Sequence, residues 1–415
     1  MKLIPIFATP LLLAIAALAQ DAAPDFEAAP VLHASEILKP EFLAGPDYRV
    51  LENVTTFYGR NRYTIETRWG YLTAESDALL AARVAEVRAI AELERVSRTE
   101  EFKTGLVAAA KTPYHAVRGA IDDPAGAVKG TAKGVWKFMN RAGESVKNAT
   151  QHRERGQGED NAGKQLLGLS KAKRTLALQL GADPYSSNEV FQAQLENVAW
   201  VNTAGTGLFK IATMPIGGGA GMVLSASSAT QTFQQSLRDL SPADLRLANK
   251  KQLIAMGVEP RKADQFLANP AISPTNQTAI VLALRALDGV KNRAAFVTMA
   301  AETISEESDA VFCSGTAQLL ATLHAGADKI ARLTTVGGFP VAITADGRLV
   351  IALQWDTAFW SEATARFIDR AATAQLGQTG PPVIAITGGA TERTKAELEK
   401  RGIHLLSHAL DGPQK

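Results

Sequence analysis

At three predicted helix starts a helix-capping residue is followed at once by proline: Asp123-Pro124, Ser241-Pro242 and Ser273-Pro274. No other local feature constrains the fold as much. An Asp or Ser side chain accepts a hydrogen bond from a free N–H of the first helical turn. Proline at the first helical position sacrifices no bond there and presets the backbone. Ser186 and Glu189 are spaced as a capping box. Gly181, Gly257 and Gly289 each follow an apolar helical run, as terminating glycines do. This punctuation, with the apolar periodicity between the marks, predicts helices over 75–97, 124–148, 168–180, 187–203, 242–256, 260–268, 274–287, 292–303 and 306–326.

The flanks have a different period. Tyr48–Phe57 and Arg62–Thr73 are rich in Val, Thr, Tyr, Ile and Trp around the turn Tyr58-Gly59-Arg60-Asn61, which reads as a β-hairpin. Beyond residue 330, Val341–Thr344 and Leu349–Leu353 flank the turn Ala345-Asp346-Gly347-Arg348. A helix follows over 359–376. PPVIAITGG, TERTKAELEKRG and IHLLSHAL then form a βαβ unit whose strands run parallel. The class is α+β and mostly helical, with an N-terminal β-hairpin, a central helical domain and a small C-terminal α/β unit with a mixed sheet. The corresponding segments are 1–19, a signal peptide; 20–47, an Ala/Pro-rich leader; 48–100, hairpin and long helix; 101–165, a basic helix and polar linker; 166–330, the helical domain; and 331–415, the α/β domain.

Lys2 followed by an uncharged apolar run to Ala17-Leu18-Ala19 has the form of a Sec-type signal peptide cleaved between Ala19 and Gln20. The chain is expected in the periplasm or outside the cell. It has a single cysteine, Cys313, so it cannot staple itself by an intramolecular disulfide and must be held by burial. Cys313 itself reads as a small core residue.

Net charge is +2, which argues against nucleic acid as a partner. The charge is uneven, however. Between Lys103 and Arg155 ten Lys/Arg face four Asp/Glu, a local net charge of +6. The predicted helix 124–148 lies in this stretch. Lys129, Lys133, Lys137 and Arg141 line one side; Val128, Ala132, Val135, Met139, Ala142 and Val146 line the other, flanked by Trp136 and Phe138. A solvated bundle helix has this spacing, and so does a helix lying on an anionic membrane. Gly130 and Gly134 each cost roughly 1 kcal/mol against alanine, so the helix gains from a surface or partner. Segment 208–229 carries one charge, Lys210, with Pro215 and four glycines among 217–221. It reads as packed helical core or as a membrane-associated hairpin.

The remaining chemistry is sparse. Gly388, Gly389, Thr391 and Thr394 occupy the turn between the first strand and the helix of the βαβ unit, where free N–H groups bind anions. Asp346 belongs to a turn and Asp356 reads as a helix cap. His404 and His408, on one face of the last strand, are about 13 Å apart at roughly 3.3 Å per residue, too far to share a metal. No cofactor or metal is implied. The sequence therefore points to a non-catalytic exported envelope protein that binds a membrane surface or a protein partner through 124–148. The alternative is a hydrolase or other enzyme with an anionic-ligand site at 388–394.

Overall fold

The structure, a computed structural model, describes residues 25–110, 159–204, 227–374 and 376–415. The expected signal peptide, the basic helix 124–148 and residues 208–226 of the glycine-rich segment lie outside them. In the N-terminal sheet, strand β5 (Arg60–Thr67) is the axis. Its alternate residues Asn61, Tyr63 and Ile65 are buried, the pattern of a sheet covered on one face. β1 (Val31–His33), β2 (Ala44–Gly45), β3 (Tyr48–Val50), β4 (Asn53–Phe57) and β6 (Gly70–Glu75) complete an antiparallel sheet. β4 pairs with the first half of β5, β3 with its second half, and β6 with its other edge. The predicted hairpin is thus four strands. The chain reverses at Tyr58-Gly59, both left-handed (φ 48° and 79°), and again at Arg68-Trp69.

The leader is folded too. β1, α1 (Ala34–Ile37) and α2 (Pro40–Leu43) bring Ala34 and Leu38 into the core of this sheet. Leu38 bridges to Gln414, and the Lys39 N–H donates to the Pro413 carbonyl at 2.8 Å. The start of the described chain is therefore tied to its end.

Helix α3 (Asp77–Ser97) serves two cores. Ser76 caps it, accepting from the Leu79 N–H at 3.1 Å. Leu79, Leu80, Val84 and Val87 pack on the sheet. Ala89, Ile90, Leu93 and Val96 pack among α4 (Glu100–Ala110), α5 (Glu159–Gln179) and α6 (Glu189–Ala204). Arg83 of α3 meets Ser187 just before α6, and Phe102 of α4 shares a core with Val198 and Val201 near the end of α6. α3 thus meets the start of α6, and α4 packs in the same layer. α5 runs against α6, because Lys173 pairs with Glu196 at 3.0 Å and Gly168 lies against Thr203. The start of α5 and the end of α6 therefore share one end of the layer.

α5 begins inside the stretch 150–165 expected to be a linker. Its first seven residues have only Ala162 as an apolar side chain, so periodicity gives no signal there. The predicted capping box is not formed either. Asn188 caps α6, accepting from the Phe191 N–H at 3.2 Å, while the Ser186 hydroxyl donates to Glu86 at 2.6 Å.

α7 (Ser227–Asp239), α8 (Pro242–Ala255), α9 (Pro260–Ala268), α10 (Pro274–Ala286), α11 (Ala294–Thr303) and α12 (Glu307–Ala325) follow. Ser241 and Ser273 cap α8 and α10, accepting from Asp244 and Asn276 N–H at 3.2 Å each. The C-terminal sheet has the order β13-β11-β9-β8-β7, made of β7 (Ile330–Val336), β8 (Phe339–Thr344), β9 (Leu349–Leu353), β11 (Val383–Ile386) and β13 (His404–Leu406). β9, β11 and β13 are parallel; β7 and β8 are antiparallel additions, so the sheet is mixed. Val350, Ala352, Val383 and Ala385 share a core with the helices from α8 to α12. Ile351, Leu353, Ile384 and Ile386 pack with α13 (Glu362–Thr373) and α14 (Glu392–Lys400) on the other face. Coverage of both faces is why β9 and β11 are unbroken apolar runs. One core thus continues from Leu253 to Ala385, across the boundary at 330. Cys313 is buried within it. β13 ends at Leu406 and His408 is left-handed (φ 50°), so the two histidines do not share a strand face. Among the described residues no helix is long and apolar enough to cross a membrane.

Candidate functional site

In an open α/β sheet, ligands sit beyond the carboxyl ends of the parallel strands. Here that position is bounded by the residues following β9, β11 and β13, and it contains Gly388 and Gly389. It is filled by the chain itself. The Gly388 N–H donates to the Trp355 carbonyl at 2.7 Å and the Gly389 N–H to the Asp356 carbonyl at 3.0 Å. A Cβ on Gly388 would lie 1.9 Å from that Asp356 oxygen. These glycines permit two backbone segments to touch, and their amides are not free for an anion. Short parallel strands β10 (Thr357–Ala358) and β12 (Gly389–Ala390) continue the contact.

Thr391 caps α14, its hydroxyl accepting from the Thr394 N–H at 3.2 Å. Thr394 is buried beneath it. A carboxylate does lie at this helix start, and it is the chain's own. Glu27 Oε2 accepts from the Thr391 hydroxyl at 2.8 Å and from the Trp360 N–H at 2.6 Å. A groove of about 360 Å³ opens beside it, lined in part by Trp360, Glu362, Arg366, Asp369 and Arg401. Its charges are matched internally: Arg366 pairs with Glu362, Arg401 with Asp369 at 3.1 Å, and Arg401 also stacks over Trp360 at 4.5 Å.

The strand ends hold a buried acid pair. Asp356 follows β9, is 0% exposed, and does not cap α13, whose cap is Ser361. The Tyr58-Gly59 turn lies over it: the Gly59 carbonyl accepts from the Asp356 and Thr357 N–H groups at 2.8 and 3.1 Å. Gly59 is also pressed against the Trp355 ring, where a Cβ would come within 2.6 Å. The Asn61 N–H donates to Asp356 Oδ2 at 2.9 Å, and Asp356 Oδ1 has no hydrogen-bond partner. Asp77, in the first turn of α3, is the second acid. Its Oδ1 accepts from the Tyr63 hydroxyl at 2.5 Å, Asn61 donates to Tyr63 at 3.1 Å, and Thr56 donates to Asn61 at 2.9 Å. Gln414 closes the site from the chain end, donating to the Asp356 carbonyl at 2.8 Å.

The electrostatics follow from burial. Burial pushes Asp77 up to about 6, partly offset by hydrogen bonds from Tyr63, Asn61 and Gln414. Complete burial, then the neighbouring Asp77 carboxylate, hold Asp356 well above the usual carboxylate range, against the pull of the Asn61 and Asp77 backbone N–H groups and Arg60. Two carboxylates in a dry site cannot both ionise cheaply, so the pair favours its protonated form more than solvated carboxylates do. With Asp356 sealed from solvent, the arrangement joins two parts of the fold.

The expected βαβ turn residues are therefore together, with their donors already engaged. Lys129, Lys133, Trp136, Lys137, Phe138 and Arg141 lie outside the described residues. Sequence reasoning misses Glu27, Asn61, Tyr63, Asp77 and Gln414. One signal is present: Asp356 comes three residues after the unbroken apolar strand β9, beside Trp355, where a charge is heading for a buried position. Among the described residues no group of three or more His, Cys, Asp or Glu is placed to hold a metal. No family model matches this chain, and no curated protein or solved structure matches it either, so its function must be read from its own geometry.

Proposed function

We propose that this is an exported, non-catalytic binding protein of the cell envelope that engages an anionic membrane surface through the basic stretch 124–148. The observation that carries the reading is where the chain leaves its helical layer. The end of α4 leads into 111–158, which contains the basic stretch, and the start of α5 receives it. The end of α6 leads into 205–226, the glycine-rich apolar segment. The start of α5 and the end of α6 lie together at one end of the layer. The two segments whose sequences suit a membrane interface thus issue from the same place, where one surface can receive both.

The commitment of the Gly388 and Gly389 amides to chain carbonyls weighs against the rival, an enzyme that uses the 388–394 turn. Flotation of the mature protein with anionic vesicles tests the proposal. Binding at low salt, release as ionic strength rises, and loss in the variant Lys129→Glu/Lys133→Glu/Lys137→Glu are expected. Failure to float at low salt rejects the membrane. Retention of a single envelope protein by the same lysines would replace the membrane with a protein partner.

A further inference from the structure

We propose that the contact between the Tyr58-Gly59 turn and the strand ends of the C-terminal sheet is a proton-operated latch, closed when the Asp77–Asp356 pair is protonated and loosened when it ionises. The contact joins the N-terminal sheet to residues far along the chain; Asn61 and Asp356 are 295 residues apart. It consists of few bonds, and they converge on the acid pair. Three backbone N–H groups carry it: Asp356 and Thr357 to the Gly59 carbonyl, and Asn61 to Asp356 Oδ2. Asp356 Oδ1 is buried with no partner. A proton there removes a buried charge that only the Asn61 and Asp77 backbone N–H groups and the shared Arg60 oppose.

The groups facing the pair can be named from each element around it. β5 contributes Tyr63, whose hydroxyl donates to Asp77, and Arg60 at its start. The Arg60 guanidinium is already shared with Asp309 at 3.4 Å and Glu306 at 4.0 Å. Thr56 of β4 and Asn61 of β5 are neutral. α3 contributes Asp77 itself, and the loop after β9 contributes Asp356. The chain end contributes neutral Gln414, with the exposed His408 lying over Gly389. No cation is dedicated to the two acids among these groups, so ionisation of both is offset only in part, by hydrogen bonds and by the shared Arg60.

The sign of the dependence follows. Both acids hold their protons more tightly in the closed contact than in water. The closed form therefore binds more protons than the open one, and closure weakens as pH rises from the ordinary carboxylate value. The loss continues through about 6 for Asp77, and Asp356, raised by burial as well, adds to it with the same sign. For Asp77 alone, a displacement of about two pH units makes the closing equilibrium about a hundredfold less favourable at high pH.

Amide exchange on the intact mature chain tests the latch. Protection at 57–64 and 354–358, corrected for the intrinsic pH effect, should fall about a hundredfold or more between pH 4 and pH 8. Protection in α10, remote from the acids, should change little. In the double variant Asp77→Asn/Asp356→Asn the pH dependence should vanish, since the side-chain amide introduced at position 77 keeps an acceptor oxygen for Tyr63. If that variant does not fold, Asp77→Asn alone must shrink the dependence. Protection that is flat from pH 4 to pH 8 in the unsubstituted chain, or that falls equally in α10, overturns the proposal.

Discussion

Replacing Gly388 by alanine should damage this protein far more than replacing its neighbour Gly389. The new Cβ at 388 would lie 1.9 Å from the Asp356 carbonyl oxygen and 2.6 Å from its carbon. Both are backbone atoms, so no side chain can rotate away. The two segments must separate by about 1 Å or more to reach an ordinary contact. Separation breaks the bonds from Gly388 N–H to Trp355 and from Gly389 N–H to Asp356, at 2.7 and 3.0 Å. Each is worth about 1 kcal/mol, and forcing a packed contact apart adds about 1–3 kcal/mol. The expected cost is about 3–5 kcal/mol, a large part of the roughly 5–15 kcal/mol that holds a typical domain together. At Gly389 the nearest atom to an added Cβ is His408 Nε2 at 3.6 Å, an ordinary contact, so the cost should stay within about 0.5 kcal/mol. Urea unfolding followed by tryptophan fluorescence reads both, because buried Trp355 sits at the contact. Equal midpoints for the two variants, or a Gly388→Ala midpoint close to that of the unsubstituted protein, would refute the claim that this turn is packed shut.

Three further outcomes are expected. Arg83 is buried between Glu86 and Glu307 at 2.9 and 2.7 Å, so Arg83→Met should cost about 3–5 kcal/mol by stranding Glu86 without its partner. Adding Glu86→Gln should recover part of it, and a neutral single variant in thermal unfolding would contradict this. Burial, aided by Asp309, pushes the Cys313 thiol up to about 12. It should therefore resist Ellman's reagent at pH 8 in the native protein and react fully once unfolded; rapid native labelling would show that it is not sealed in the core. Glu27→Ala removes the acceptor shared by Trp360 N–H and Thr391. It should speed proteolysis ahead of β1 at least severalfold while Glu27→Gln does so less, and equal rates for all three proteins would count against a latching role for this carboxylate.

Much of the fold is legible because its residues carry local physics. The Ser-Pro starts at 241 and 273, with Gly257 and Gly289 beyond the ends of α8 and α10, put these two helices within about two residues of their ends. The βαβ unit is legible because strands covered on both faces must be apolar throughout. α7, with a run as polar as SSATQTFQQSLRD, offers only Phe233 and Leu237 as a narrow apolar stripe, and the first turns of α5 offer none. The acid pair is illegible for a different reason. Asp77 looks like an ordinary first-turn acid, Asp356 looks like a cap, and Asn61 looks like a turn residue. Their meeting is a property of how the N-terminal sheet docks. The glycines at 388 and 389 stand out in the sequence, but their spacing alone does not say whether a ligand or a carbonyl lies against them.

The claim that binding belongs to the 111–158 end of the molecule, and not to the strand ends, can be tested within one protein. Its only cysteine, Cys313, is buried, so a polarity-sensitive dye can be placed selectively through Lys133→Cys or, separately, His408→Cys. On adding anionic vesicles at low salt, the dye at 133 should shift to the blue and the dye at 408 should not respond. A response at 408 with silence at 133 would contradict the account.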